Sequence, residues 1–288
     1  MEVRMANTPS PTIRRRQLGK ALRRERENRK ITLKGAADWL DTTTSNLSKI
    51  ELGKQAIKPS HVRLLMQLFD IGAPESDTYI RLARESNERG WWASYSDTIP
   101  EWFETFLGLE ADAEELRTYT AELIDGLLQT PRYAQAIVRT YWPQISDDEL
   151  QRSADLRQAR QQQLRTPNPP VLKVVLNEAV LRRPVGDVEV WKEQLEYLVA
   201  AGERENVTLR VLPFSAGPHP AMTAPFTLFK FPEGYDMDAV YIENERGALW
   251  LERPADRARY IDVFDRICSL ALSPEETSHL IANLAHDL

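Results

Sequence analysis

Apolar residues recur at helical spacing near the N-terminus. Leu33, Ala36, Ala37 and Leu40 stand at i, i+3, i+4 and i+7, one face of a short helix. The alanines on that face let another helix approach closely. Asp41-Thr42 cannot easily continue the helix, and Thr43 is a good N-cap for a second one. In that second helix Leu47 and Ile50 point inward, while Thr44, Ser45, Ser48 and Lys49 point outward. Gly53 ends it, as a residue tolerant of positive φ should. Two short helices about a tight turn place a recognition helix in the DNA major groove. The competing reading is an ordinary helical hairpin. Against it, the outward face lacks the Glu/Lys pairs that decorate a merely solvated helix.

The pattern continues as helix over 60–69, with Val62, Leu65 and Leu68 on one side, and again over 76–88. Gly90-Trp91-Trp92 marks a change of character, and a domain boundary is expected near 88–92. Residues 112–121, 131–141 and 147–163 read as helices, and Thr166-Pro167-Asn168-Pro169-Pro170 is a rigid break. Beyond it the period changes. Val171 to Leu176 is a β-branched run, 187–201 a helix, and Val207 to Leu212 an alternating strand, so a βαβ unit with parallel strands is predicted. Three more strands follow over 226–231, 239–242 and 248–252, the last two joined as a hairpin. Helices over 254–270 and 274–285 close the chain. The last opens on Ser273-Pro274-Glu275-Glu276, an N-cap, a first-turn proline and a capping-box Glu.

Charge sharpens the division. The first 60 residues hold fourteen Lys/Arg against six Asp/Glu, a net +8, while the whole chain is −6 and the remainder therefore −14. A basic module on an acidic body points to nucleic-acid binding at one end. The 288 residues suffice for two domains. No run of about 18 apolar residues predicts a transmembrane helix, and no signal peptide is expected. A single cysteine, Cys268 in an apolar run, fits a core residue in a reducing cytoplasm. Residues 1–12, with Asn7-Thr8-Pro9-Ser10-Pro11, read as a flexible tail.

Residues from about 17 to 71 resemble the XRE family of phage repressors and bacterial regulators. The match rests on Ile31-Thr32-Leu33, Ala36-Ala37 and the run Ser45-Asn46-Leu47-Ser48-Lys49-Ile50-Glu51-Leu52-Gly53. The resemblance implies a five-helix, mainly α DNA-binding domain over 13–88. It implies that Thr44, Ser45 and Lys49 face base edges, and that Thr43 and nearby basic residues face phosphate. The basic residues flanking the motif are Arg23, Arg24, Lys54 and Lys58. It also implies a homodimer on an operator. Asp41 stands where that family usually has Gly, and Asp tolerates the left-handed conformation better than most residues.

The rest, over roughly 95–284, resembles a domain of unknown function attached to XRE regulators in actinobacteria, described as antitoxin-like transcriptional regulators. The matching segments are Phe106-Leu107-Gly108-Leu109-Glu110-Ala111, Gly126-Leu127-Leu128-Gln129-Thr130-Pro131-Arg132-Tyr133-Ala134, Leu212-Pro213-Phe214-Ser215-Ala216-Gly217-Pro218-His219-Pro220, Pro225-Phe226 and Leu272-Ser273-Pro274-Glu275-Glu276-Thr277. Asp125 replaces a usual Pro. The resemblance implies control by a small partner protein encoded beside the regulator. An α+β C-terminal domain with a mixed sheet is expected over 91–288, helical over 91–165 and mixed over 170–288.

The motifs of catalysis and metal binding are missing. The histidines His61, His219, His279 and His286 lack metal-ligand spacing, and no phosphate loop or nucleophile elbow occurs. No enzyme, cofactor or metal is expected. Asn177 and Glu178 follow a parallel strand, where open α/β sheets bind ligands. With His219 they form a candidate effector or partner site. The plain alternative is a helix cap, a surface acid and a proline-fixed turn. The aromatic segment Trp91, Trp92, Tyr95, Trp102 and Phe103 fits either an interface core or glue between domains. Two functions stand: a regulator that binds a protein partner, or a one-component sensor of a small molecule.

Overall fold

The computed structural model describes residues 10–97, 99–233, 238–244 and 246–288. It forms two compact units. Among the described residues, the first comprises 10–94 and 104–112, and the second those within 95–103 and 113–288.

The first unit holds α1 (Pro11–Asn28), α2 (Leu33–Trp39), α3 (Thr44–Glu51), α4 (Pro59–Leu68) and α5 (Glu75–Ser86). Leu18, Leu22, Leu47, Ile50, Leu65 and Phe69 meet in one core. Residues 1–9 of the expected tail lie outside the described residues, but 10–12 are no tail. Ser10 caps α1, and its Oγ accepts from Ile13 N at 3.2 Å. That hydroxyl also donates to Gly108 O at 2.9 Å, and Ser10 N donates to Asp112 Oδ2 at 2.6 Å. Here the expected boundary needs correction. Residues 104–112, the larger part of α6 (Glu101–Glu110), pack with the first unit rather than the second. A Cβ on Gly108 would stand 2.2 Å from Thr12 Oγ1, so glycine is what lets the two segments meet.

The second unit is built on a six-stranded mixed sheet in the order β3-β2-β1-β4-β5-β6. The strands are β1 (Glu115–Thr120), β2 (Val171–Asn177), β3 (Val207–Leu212), β4 (Phe226–Lys230), β5 (Ala239–Asn244) and β6 (Gly247–Leu251). β1, β2 and β3 run parallel; β4, β5 and β6 add on antiparallel. The expected βαβ unit and hairpin are both present. The strand β1 corrects the helix predicted over 112–121 and the all-helical reading of 91–165. It lies inside the sheet, between β2 and β4. Its Thr118-Tyr119-Thr120 suits a pleated, half-buried surface, and Thr118 Oγ1 faces Thr227 Oγ1 at 3.3 Å.

Helices α7 (Pro131–Tyr141) and α8 (Asp147–Gln161) connect β1 to β2, and α9 (Glu178–Arg182) and α10 (Val188–Gly202) connect β2 to β3. α11 (Pro254–Leu270) and α12 (Pro274–His286) end the chain. Phe264 and Ile267 of α11 pack with Tyr119, Val175, Phe226 and Val240. Cys268 sits half-buried beside them, and burial pushes its thiol pKa up. The capping box Ser273–Glu276 forms as expected. The aromatic segment is divided: Trp91 and Trp92 meet edge-on in the first unit, while Trp102 and Phe103 do so in the second.

Candidate nucleic-acid interface

The turn between α2 and α3 is made by its caps. Thr32 Oγ1 accepts from Gly35 N at 3.0 Å to start α2. Leu40 closes it, and Asp41 takes φ +52°, the left-handed conformation that this position demands. Thr43 Oγ1 then accepts from Asn46 N at 3.1 Å and opens α3. Asn46 Nδ2 reaches back to Thr42 Oγ1 at 2.8 Å. Thr43, expected at phosphate, therefore spends its oxygen on the helix start, though its side chain stays exposed.

The inward side of α3 is fixed by close packing. Leu47 and Ile50 are buried. A Cβ on Gly19 of α1 would stand 2.4 Å from Ile50 O and 2.8 Å from Glu51 O, so α1 and α3 touch backbone to backbone. Below them Arg26 and Glu51 form a buried fork, Nε to Oε1 at 2.6 Å and Nη2 to Oε2 at 2.8 Å. Arg26 Nη1 also donates to Ile31 O at 3.0 Å, tying the loop before α2. Glu51 raises the Arg26 pKa chiefly by hydrogen bonding, which favours the charged guanidinium. Gly53 ends the helix at φ +67°, with Arg16 of α1 so close that a Cβ would overlap it. Two faint signals of this anchorage lie in the chain: the Glu in the matched motif, and a small residue on the inward face of α1.

The outward side is open. Thr44, Ser45 and Lys49 are exposed, and none of these side chains has an intramolecular partner among the described residues. Ser48 is half-buried. Lys54 and Lys58 are exposed in and just after the turn that follows α3. The candidates on α1 are less free. Arg23 Nε holds Glu27 at 2.8 Å, while Arg24, more exposed, lies 3.9 Å from Glu25. Removing Lys54 or Lys58 should weaken binding to all DNA sequences and lower the salt slope by about one. Arg23→Ala should change the slope less, because Glu27 already offsets its charge. An unchanged slope in a salt titration of Lys54→Ala would assign that residue to solvent.

In the second unit the structure brings the other candidates to one end of the parallel strands. Asn177 Oδ1 caps α9 through Ala179 N at 3.0 Å, and its Nδ2 donates to Tyr119 Oη at 3.3 Å. Glu178 accepts from Phe214 N at 2.8 Å and pairs with Arg182 at 2.9 Å, which pins the 213–220 loop to α9. His219 of that loop packs edge-on against Tyr119, ring centres 5.6 Å apart. Its Nδ1 is buried without a partner among the described residues, and burial lowers its pKa. The conspicuous Gly126–Ala134 segment is a buried turn. Thr130 N donates to Gln194 Oε1 at 2.7 Å, Gln194 Nε2 donates to Leu128 O at 2.8 Å, and Gln161 Nε2 donates to Gln129 O. Asp125 accepts from Leu127 N at 2.8 Å and so opens the turn.

Comparison with protein families agrees with this division. A helix-turn-helix domain model matches residues 17–78, which contain α2, α3 and α4, most of α1 and the first turn of α5. The model described as "Domain of unknown function (DUF5753)" matches residues 103–283, more than half of the chain. The chain belongs to that family. Its helix-turn-helix makes it a DNA-binding regulator of transcription. No curated protein and no solved structure matches it. No helix among the described residues is long and apolar enough to cross a membrane.

Proposed function

We propose that this chain is a sequence-specific, homodimeric transcription regulator of the XRE type, working in the cytoplasm. Its DUF5753 unit serves assembly and receives a small protein encoded by a neighbouring gene, in an antitoxin-like circuit, and carries no catalysis of its own. The observation that carries the reading is the outward face of α3. Thr44, Ser45 and Lys49 present hydrogen-bonding groups to solvent from a helix whose other side is locked to α1. Such groups at the mouth of a helix-turn-helix read base edges.

Footprinting on the DNA upstream of the chain's own gene tests it. The expected site is an inverted repeat with half-sites roughly 10 bp apart or a multiple of that. Lys49→Ala should cost on the order of 1–3 kcal/mol on that site and relax specificity. Equal loss on random DNA would limit Lys49 to phosphate contact. Co-elution with the neighbouring gene's product supports the partner role.

One observation favours the second reading, a small-molecule sensor. The unpartnered His219 Nδ1 stands with Tyr119 and Asn177 at the ends of β1 and β2, where a ligand could engage it. A rise in melting temperature with a metabolite, and none with the neighbouring protein, would decide for it.

A further inference from the structure

The two edges of the sheet are finished differently. The outer edge of β3 is covered. Leu272 N donates to Val211 O at 2.8 Å, Val211 N donates to Thr277 Oγ1 at 3.0 Å, and Arg210 Nη1 reaches Leu272 O at 3.2 Å. At the far edge, β6 is Gly247-Ala248-Leu249-Trp250-Leu251, without a charge or a proline. Among the described residues, Ala248 and Leu249 make no backbone hydrogen bond beyond those of the ladder with β5. In an antiparallel ladder every second residue of an edge strand turns its N–H and C=O outward. Sheets ordinarily blunt such an edge with lysine, proline, a bulge or a covering segment. This one has none of the first two inside the strand, and it carries Leu249 at 50% exposure. Leu249 pairs with Ile242, which packs on the core beneath α11, so Leu249 lies on the α11 face.

The flanks of β6 are charged in a self-complementary way. Arg246 precedes the strand and Glu252 follows it, and both are exposed. Lay β6 antiparallel to β6 of a second copy, with the two-fold axis at Leu249. Arg246 then stands opposite Glu252 at both ends, Ala248 faces Trp250, and the two leucines meet at the centre. A register displaced by one residue sets Arg246 opposite Leu251 or opposite Arg253, and loses both attractive pairs. The sequence therefore selects one register and one partner.

We propose that β6 is the surface through which two copies join, edge to edge, into one continuous antiparallel sheet. The contact is isologous, as a two-fold dimer requires. Backbone hydrogen bonds supply the pairing and the flanking charges its register. This rests on the homodimer reading above and names its surface.

Sedimentation of the full chain over a concentration series tests it. Arg246→Glu alone, or Glu252→Arg alone, sets like charges opposite each other twice per dimer. Each should raise the dimer dissociation constant about tenfold. An equimolar mixture of the two variants should recover dimerisation, because each supplies the charge the other lost. The double exchange on one chain should recover it as well. Leu249→Lys should weaken the dimer in either background. A wild-type dimer that none of these changes affects would overturn the edge pairing and leave the homodimer standing. An edge that instead takes a strand of another protein would likewise overturn the edge pairing, and a wild-type chain that is monomeric at every concentration would overturn both.

Discussion

Glu51→Ala should destabilise the first unit by about 3–5 kcal/mol, the cost of leaving one member of a buried ion pair unpaired. Arg26, 8% exposed in the intact chain, would lose both bonds of its fork and keep Ile31 O and, at 3.6 Å, the more exposed Glu27. Small domains hold only about 5–15 kcal/mol in all, so this loss is a large fraction of the unit's stability. The effect should appear as lost hydrogen-exchange protection at Leu47 and Ile50, which the pair holds against α1. The companion experiment replaces both partners, Arg26→Met with Glu51→Leu. That variant should return close to wild-type stability, because a buried ion pair is worth little against an apolar pair of similar volume. A cost below about 1 kcal/mol for Glu51→Ala would mean that water reaches the fork, as it reaches surface pairs.

Gly19→Ala should be nearly as damaging, at about 3 kcal/mol, although it adds a single methyl group. Elsewhere in a helix, Gly→Ala stabilises by roughly 0.4–1 kcal/mol through the unfolded chain. Here the methyl meets backbone carbonyls at 2.4 and 2.8 Å, and backbone cannot swing aside as a side chain can. The two helices must separate or slide. Operator affinity should therefore fall along with urea stability, since α3 carries the reading face. A stabilised Gly19→Ala protein with full DNA affinity would refute the backbone contact between α1 and α3.

The helix-turn-helix was legible because everything that defines it is local. Capping oxygens, an apolar pair three residues apart and a left-handed turn residue all lie between Thr32 and Gly53. What anchors it was not, because Arg26 and Glu51 are 25 residues apart and nothing in either neighbourhood names the other. β1 was misread for the same reason. Its partners begin at Val171 on one side and end at Lys230 on the other, while the residues just before it, Ala111, Ala113 and Glu114, favour a helix. The division inside α6 was hidden too, since a continuous helical pattern does not say which core each turn joins. Asn177, Glu178 and His219 were chosen from strand ends and a proline-fixed loop. The structure brings them to one place, and there Asn177 and Glu178 also hold the local backbone as a cap and a pin.

The turn over 124–130 is opened by the Asp125 carboxylate and secured beyond it by amides. Gln129, Gln161 and Gln194 are almost wholly buried, and their amides carry the hydrogen bonds to its backbone. Amide groups neither gain nor lose a proton in ordinary buffers. Tyr133 Oη accepts from Ile124 N, and burial pushes its phenol above the usual value. Acid therefore leaves the glutamine amides unchanged and touches this turn at its entry, where the Asp125 carboxylate caps Leu127 N. Other parts of the sheet differ: Glu115 resists burial only through Lys173 and Arg117, and that support vanishes once its carboxyl is protonated. The DUF5753 unit should then come apart in sequence as pH falls, with the strand ends releasing first and the glutamine-bound turn persisting as a last ordered nucleus.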